Sequence, residues 1–480
     1  MNIRIVLLPI GPLIATIAAA MLLPALVDAY HGNPDWRVFV ATAAGTFTLG
    51  GLIFLSLRRE PFTYSFREAV LFVNIAWVAV SATAALPLYF SELGLSFVDA
   101  WFEAVSGLTT TGATVLTKLD TAPPGLLLWR SLLQWIGGIG IVVAGIWLLP
   151  ALRVGGQQLF ALESSDQTEK PFSRIERYAA ALLVLYLVIT VACTLLYVLC
   201  GMSLFEAVNH AMTTVATGGY STSDSSIGKF ESNAVLWVAT VFMVLSSLPF
   251  IFLLRLFVQR NTAIDPQIRY FLLIAASVML VILVYRKLEG ETIDFHAVTQ
   301  VVFNTVSVIT TTGYASEDYT QWGDFAFGLI FFLTFLGGCT GSTAGGLKVF
   351  RLVVIRQTLK QVSARLVRPN QIVSVRYGAQ NLSDEVAASA LGFVFVYFAT
   401  FALFAVALSF TELDALTAIS ASATAISNVG PGVGEIIGPS GNFSTLPDLA
   451  KWLLSIEMIL GRLELMSTFV MLLPVFWRPW

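Results

Sequence analysis

Ten stretches of this chain are each long and apolar enough to cross a lipid bilayer, and that property alone removes nearly every fold open to a soluble protein. Crossing a hydrocarbon core of about 30 Å takes about 20 mostly apolar residues in a helix. The stretches run roughly over 5–29, 38–57, 69–90, 126–150, 178–200, 233–254, 270–285, 325–358, 386–410 and 450–475. Composition agrees: 56% of the 480 residues are hydrophobic, 12% are charged, and the mean hydropathy is +0.79. The first stretch follows Arg4 and has the outline of a secretion signal. It is longer than the apolar core of such a signal and a second stretch follows at once, so both are expected as retained helices. Cys193, Cys200 and Cys339 lie in apolar or Gly-rich surroundings with no paired spacing, which argues against a disulfide framework or a zinc site.

The net charge of -3 conceals an uneven layout of 27 Lys and Arg. With the amino terminus in the cytoplasm, the outer side holds Arg37, Lys118, Arg130, Lys229, Arg286, Lys287 and Lys451. Lys348 and Arg462 fall within spans, and the others face inward. The positive-inside rule then places both termini in the cytoplasm. Four short semi-apolar stretches between the spans consequently enter the membrane from outside.

Those four stretches repeat one another. WFEAVSGLTTTG (101–112) aligns without gaps on VFNTVSVITTTG (302–313). LFEAVNHAMTTVATGGYS (204–221) opens with the FEAV of the first, and ALTAISASATAISNVGPG (415–432) is a fourth copy. Each ends an apolar half-helix in a Thr, Ser or Asn one or two residues before a glycine, at Gly112, Gly218, Gly313 and Gly430. Four divergent copies imply one supersecondary unit used four times. A single Thr-Gly ending would be an ordinary turn; four in matching contexts are not.

Non-helical backbone at membrane depth survives only where it is buried in protein or lines a hydrated cavity. A dehydrated cation needs a ring of oxygens, and backbone carbonyls supply one without a formal charge to trap the ion. Glycine permits the backbone conformation that turns those carbonyls to the axis. The preceding half-helix directs its carboxyl end, about -0.5 of a charge, at the site and favours a cation. No Asp, Glu, Lys or Arg lies in 109–114, 214–220, 310–315 or 425–432, which excludes a pore built on a ring of charged side chains.

These four loops, with GGCTGSTAGGLK (337–348) and GRLE (461–464), resemble the Trk/Ktr/HKT superfamily of potassium uptake proteins over about residues 68–480. Two additional amino-terminal helices make the chain more similar to the bacterial TrkH branch than to the eight-helix KtrB branch. The resemblance implies an all-α polytopic membrane fold. A two-helix domain (1–67) precedes four helix, re-entrant loop, helix repeats (68–155, 156–262, 263–380 and 381–480) around a pseudo-fourfold pore. Carried over residue by residue, the potassium sites fall on Thr110, Thr111 and Gly112; Ala216, Thr217 and Gly218; Thr311, Thr312 and Gly313; and Asn428, Val429 and Gly430. In plant HKT relatives a serine at the first filter glycine accompanies sodium preference; Gly112 accompanies potassium. Val429 and Pro431 depart from the Thr-Gly pattern, so rough rather than strict symmetry is expected. The resemblance further implies a homodimer in the bacterial inner membrane, contacts with membrane lipids, and a cytoplasmic nucleotide-binding regulator of the TrkA type. No nucleotide site is expected on this chain, and no nucleic acid partner.

Gly337, Gly338, Gly341, Gly345 and Gly346 interrupt the eighth stretch. Each disfavours helix by about 1 kcal/mol relative to alanine, so a helix broken at mid-membrane follows. Close helix packing also uses small residues, but a ten-residue run exceeds what packing requires. The resemblance makes this loop the gate. Lys348 at its end either snorkels to the cytoplasmic surface or turns to the pathway. Arg462, near the middle of the last stretch with Glu464 close by, is too costly at that depth to lack partners. It is either half of a structural pair or, as the resemblance implies, a restraint on the gate. Glu103, Glu206 and Asp414 are read as residues at half-helix starts favoured by the dipole. His210 is read as a hydrogen-bonded core residue, and the basic stretch 351–376 as inner-face charge and a docking surface for the regulator.

Three other readings compete, the first being a sodium or less selective monovalent cation pore, which the same filter residues accommodate. A symporter coupled to protons or sodium needs an inward-facing mid-membrane carboxylate, and only Glu464 offers itself. A membrane enzyme needs a metal cluster or a nucleophile with its base, and three scattered histidines supply neither.

Overall fold

The structure is a computed structural model that describes residues 2–58, 65–152, 171–259, 264–370, 374–378, 380–463 and 465–478. Among these, Ile3–His31, Trp36–Leu57, Phe66–Phe90, Pro124–Leu152, Pro171–Leu199, Pro266–Leu288 and Asp384–Ser409 form helices that provide seven apolar spans. The remaining three expected spans are interrupted.

The stretch expected to cross at 233–254 bends by 102° between Asn233–Ser247 and the helix beginning at Phe250. The cause is local: Leu248 precedes Pro249 and takes an extended conformation (φ -82, ψ 156), because a residue before proline is pushed out of the helical region. The expected break in the eighth stretch is present, with helix over Asp324–Thr334 and Val349–Val367 and irregular backbone between. The tenth stretch also divides, into Asp448–Arg462 and Leu465–Leu472. Arg462 therefore ends a helix instead of sitting in the middle of one.

Four shorter helices enter between the spans: Phe97–Leu108, Leu204–Val215, Phe295–Ile309 and Ala415–Ser427. At about 1.5 Å rise per residue, helices of 12 to 15 residues reach about 18–22 Å and cannot cross. Their packing is cyclic. Pro124–Leu152 lies against Leu204–Val215, Asn233–Ser247 against Phe295–Ile309, and Asp324–Thr334 against Ala415–Ser427. Asp448–Arg462 then closes the circle on Phe97–Leu108. The first two spans stand outside this circle, tied in where Asp28 Oδ1 accepts from Gly125 N at 2.7 Å.

Among the described residues the fold is all-α apart from two short paired antiparallel strands, Arg376–Tyr377 and Gln380–Asn381, with Arg376 opposite Asn381. Tyr377 stacks near Phe350 (5.0 Å between centroids) and bonds Asp265, which seats the strand pair below the broken eighth span.

Candidate cation pathway

Each half-helix begins with a side-chain cap. Ser96, Ser203, Asp294 and Asp414 accept from Asp99 N, Glu206 N, Ala297 N and Thr417 N. Ser203 and Glu206 complete a reciprocal capping box. Glu206 and Asp414 thus lie at helix starts as expected. Glu103 does not: it sits mid-helix, fully buried, with Oε1 accepting from Arg130 Nε at 2.7 Å.

At their inner ends the four half-helices terminate alike. In the first, Thr110 N donates to Gly107 O and Thr111 N to Ser106 O, the two bonds of a Schellman motif. The same pair recurs at Thr217 and Gly218, at Thr311 and Thr312, and at Asn428 and Val429. The left-handed position of this motif normally takes glycine. Here it is held by Thr110 (φ 53), Thr217 (φ 51), Thr311 (φ 55) and Asn428 (φ 55). A β-branched residue in that region is strained by about 1–3 kcal/mol, and such strain gathers at functional sites.

Two residues further on stand Gly112 (φ 86), Gly219 (φ 77), Gly313 (φ 79) and Gly430 (φ 102). A Cβ on any of them would come under 3.0 Å from a backbone oxygen of the next loop: Gly218 O for Gly112, Thr312 O for Gly219, Val429 O for Gly313, and Thr111 O for Gly430. Four loops meet carbonyl to glycine in a closed ring. This ring corrects the register of the second loop. Its triplet is Thr217, Gly218 and Gly219, not Ala216, Thr217 and Gly218; Ala216 is the helix C-cap, in the place of Thr109 and Thr310. In sequence either glycine of the pair matches the repeat, and only the φ values and the ring distinguish them. The fourth loop, despite Val429 and Pro431, follows the common geometry.

Above the ring lies a vestibule of about 320 Å³ bordered by Gly112, Gly219, Gly313 and Pro431 from the four loops, with Asp224 at its rim. Below it lies the irregular segment 335–348. It is tied to the bend in the sixth span: Cys339 N donates to Ser247 O (2.9 Å), Thr343 Oγ1 to Ser246 O (3.1 Å), and Phe250 N to Gly341 O (2.9 Å). Gly345 N donates to Thr311 Oγ1 at 2.6 Å, and Thr217 Oγ1 to Thr343 Oγ1 at 3.2 Å, so the loop hangs from two strained filter threonines. Gly341 (φ 80) and Gly346 (φ 62) make its turns, and a Cβ at Gly337 would strike Gly345 O. Gly338 is equally confined, between Ala344 and Ser247. Arg462 Nη1 donates to Thr343 O at 2.9 Å. Lys348 turns back into the loop, its ammonium on Ala344 O.

The TrkH family of cation transport proteins matches residues 36–475. This chain belongs to the TrkH family. It is 42% identical to the Trk system potassium uptake protein TrkI of Halomonas elongata, over 96% of this chain and 94% of that protein. It is 34% identical to TrkH of Vibrio parahaemolyticus, with both chains covered completely. The crystal structure titled as the potassium transporter TrkH from Vibrio parahaemolyticus superposes with a TM-score of 0.92 over 100% of both chains.

Within this TrkH-family fold, several polar residues escaped sequence reasoning. Arg130, counted among outer-face charges, is buried and also donates to Ser221 O (3.0 Å) and Thr114 Oγ1 (3.1 Å) while covering the Tyr220 ring at 4.0 Å. Lys451, likewise counted outside, is buried against Asp99 at 2.6 Å. Gln134 Nε2 donates to Gly218 O at 2.6 Å and its Oε1 accepts from Tyr220 N at 3.0 Å. Glu457 is fully buried, with Oε1 accepting from Ser422 Oγ at 2.7 Å and Oε2 without a protein partner. The signal available was a charged or amide residue inside an apolar stretch, which marks function by default. His210 matches its core reading, with Nδ1 near Glu206 O (2.8 Å) and Nε2 near Ser221 Oγ (3.0 Å). Glu464 lies outside the described residues.

Proposed function

We propose that this chain carries potassium into the bacterial cytoplasm through a selective, gated, channel-like pore in the inner membrane, as the membrane subunit of a Trk-type uptake system. The observation that carries the reading is the closed ring in which Thr111 O, Gly218 O, Thr312 O and Val429 O each meet the preceding loop's glycine. Neutral carbonyls so arranged replace the hydration of a dehydrated cation, and the four half-helix carboxyl ends add a favourable field. The names of the relatives and the glycine at position 112 support potassium as the ion.

The ion positions in this reading are Thr110, Thr111 and Gly112; Thr217, Gly218 and Gly219; Thr311, Thr312 and Gly313; and Asn428, Val429 and Gly430. The loop from Gly337 to Gly346 is the gate and Arg462 restrains it. The chain works as a homodimer with both termini cytoplasmic, under a TrkA-type regulator that docks at the basic inner face, and it has no enzymatic activity or nucleotide site of its own. The test is the reversal potential in reconstituted membranes with potassium on one side and sodium on the other. Near-equal permeability refutes the potassium assignment.

One observation favours a second reading, coupled symport: Glu457 is a buried carboxylate with a free oxygen. Potassium-free cation flux driven by an imposed proton gradient separates the two, and its absence supports the channel-like pore.

A further inference from the structure

The second filter loop lacks two side chains that the first and third loops use. In the first loop Thr109 Oγ1 and Thr111 Oγ1 are 2.7 Å apart, and in the third Thr310 Oγ1 and Thr312 Oγ1 are 2.8 Å apart. Each outer member also bonds its own half-helix, Thr109 to Val105 O and Thr310 to Val306 O, both at 2.7 Å. A hydroxyl pair thus pins the middle residue of the filter to the helix behind it. The corresponding residues of the second loop are Ala216 and Gly218, which have no hydroxyl to offer.

Gln134, from the apolar helix Pro124–Leu152, occupies the vacated place. A Cβ built on Gly218 would come under 3.0 Å from Gln134 Cδ, Oε1 and Nε2, and its three nearest neighbours are all atoms of that one carboxamide. The same carboxamide donates to Gly218 O and accepts from Tyr220 N, so it bridges the peptide on both sides of Gly219. Its helix is anchored one turn earlier, where Arg130 joins Glu103 and Ser221 O. The side chain is fully buried.

We infer that Gln134 is a specificity-determining positioning residue, supplying from a neighbouring helix the clamp that the first and third loops make from their own threonines. It acts through the Gly218 carbonyl. With that oxygen tied, the ring cannot contract around a smaller cation at its second corner; untied, it adapts to sodium. The inference rests on the potassium-pore reading above.

Gly218 is absent from the positive-φ residues, and the three atoms nearest to a Cβ built there all belong to Gln134, so removing that carboxamide removes the closest clash. This permits a compensation test with the full-length chain in proteoliposomes, reading the potassium to sodium permeability ratio and, separately, thermal stabilisation by each ion. Gln134→Ala is expected to lower the ratio by about five- to tenfold, the effect of one lost hydrogen bond of about 1 kcal/mol or slightly more. Gly218→Thr alone forces the carboxamide out and lowers it too. The triple variant Gln134→Ala, Ala216→Thr, Gly218→Thr rebuilds the hydroxyl pair and is expected to return to within about twofold of the parent. A parent-like ratio in Gln134→Ala, or a triple variant as unselective as Gln134→Ala, overturns the inference. If the parent itself proves unselective, the potassium reading fails instead. The clamp is then judged by ion-dependent stabilisation, which must weaken in Gln134→Ala and recover in the triple variant.

Discussion

Replacing Arg462 with alanine removes a charge-assisted hydrogen bond to the loop beneath the carbonyl ring, Nη1 to Thr343 O at 2.9 Å. A bond of this kind contributes about 1.5–3 kcal/mol, or a factor of about ten to a hundred in an opening equilibrium. The ties to the threonines of the ring loops, Gly345 N to Thr311 Oγ1 and Thr217 Oγ1 to Thr343 Oγ1, are neutral and contribute about 0.5–1.5 kcal/mol each. Arg462 Nε and Nη2 are buried without a protein partner, and their desolvation offsets part of the gain. The lower end is therefore expected: initial rubidium uptake into proteoliposomes rises about tenfold at equal protein incorporation. Arg462→Lys, which keeps the charge and loses the fork, should fall between parent and alanine variant. Unchanged or reduced uptake by correctly folded Arg462→Ala would refute the restraining role, because the bond to Thr343 O is the tie that role rests on.

The other expectations follow from the same geometry. Glu103→Ala leaves Arg130 charged, buried and unpaired, so thermal unfolding in detergent should show a loss of about 3–5 kcal/mol, and adding Arg130→Met should recover part of it. Gly219→Ala meets both a positive φ and a backbone oxygen and should abolish uptake, whereas Gly218→Ala combined with Gln134→Ala should keep it; the reverse order would restore the uncorrected register. Glu457→Gln preserves the bond from Ser422 Oγ, so a channel-like pore should keep its potassium flux, while a symporter should lose proton-driven flux.

Much of the architecture was legible because membrane insertion imposes a length and apolarity that read directly from the chain. The re-entrant loops were legible through repetition, and the break at Gly337–Gly346 through five glycines in ten residues. The bend at Leu248–Pro249 was not, because an apolar run of the right length outweighed one proline, and its freed backbone groups are satisfied only by a loop about ninety residues away. Glu103 and Arg130 are separated by 27 residues, and each alone resembles a cap or a surface charge. Only their meeting behind the filter makes them a pair.

The amino-acid sequence by itself determined a four-times repeated membrane protein with uncharged, glycine-ended loops, since hydrophobic length and local backbone preference are properties of short segments. Tertiary structure alone decided which of glycines 218 and 219 takes the left-handed position in the ring, which residue stands in for a missing hydroxyl, and where Arg462 finds its acceptor. Those outcomes depend on groups distant in sequence competing for the same few ångströms, and the closed circle of packed helices settles that competition.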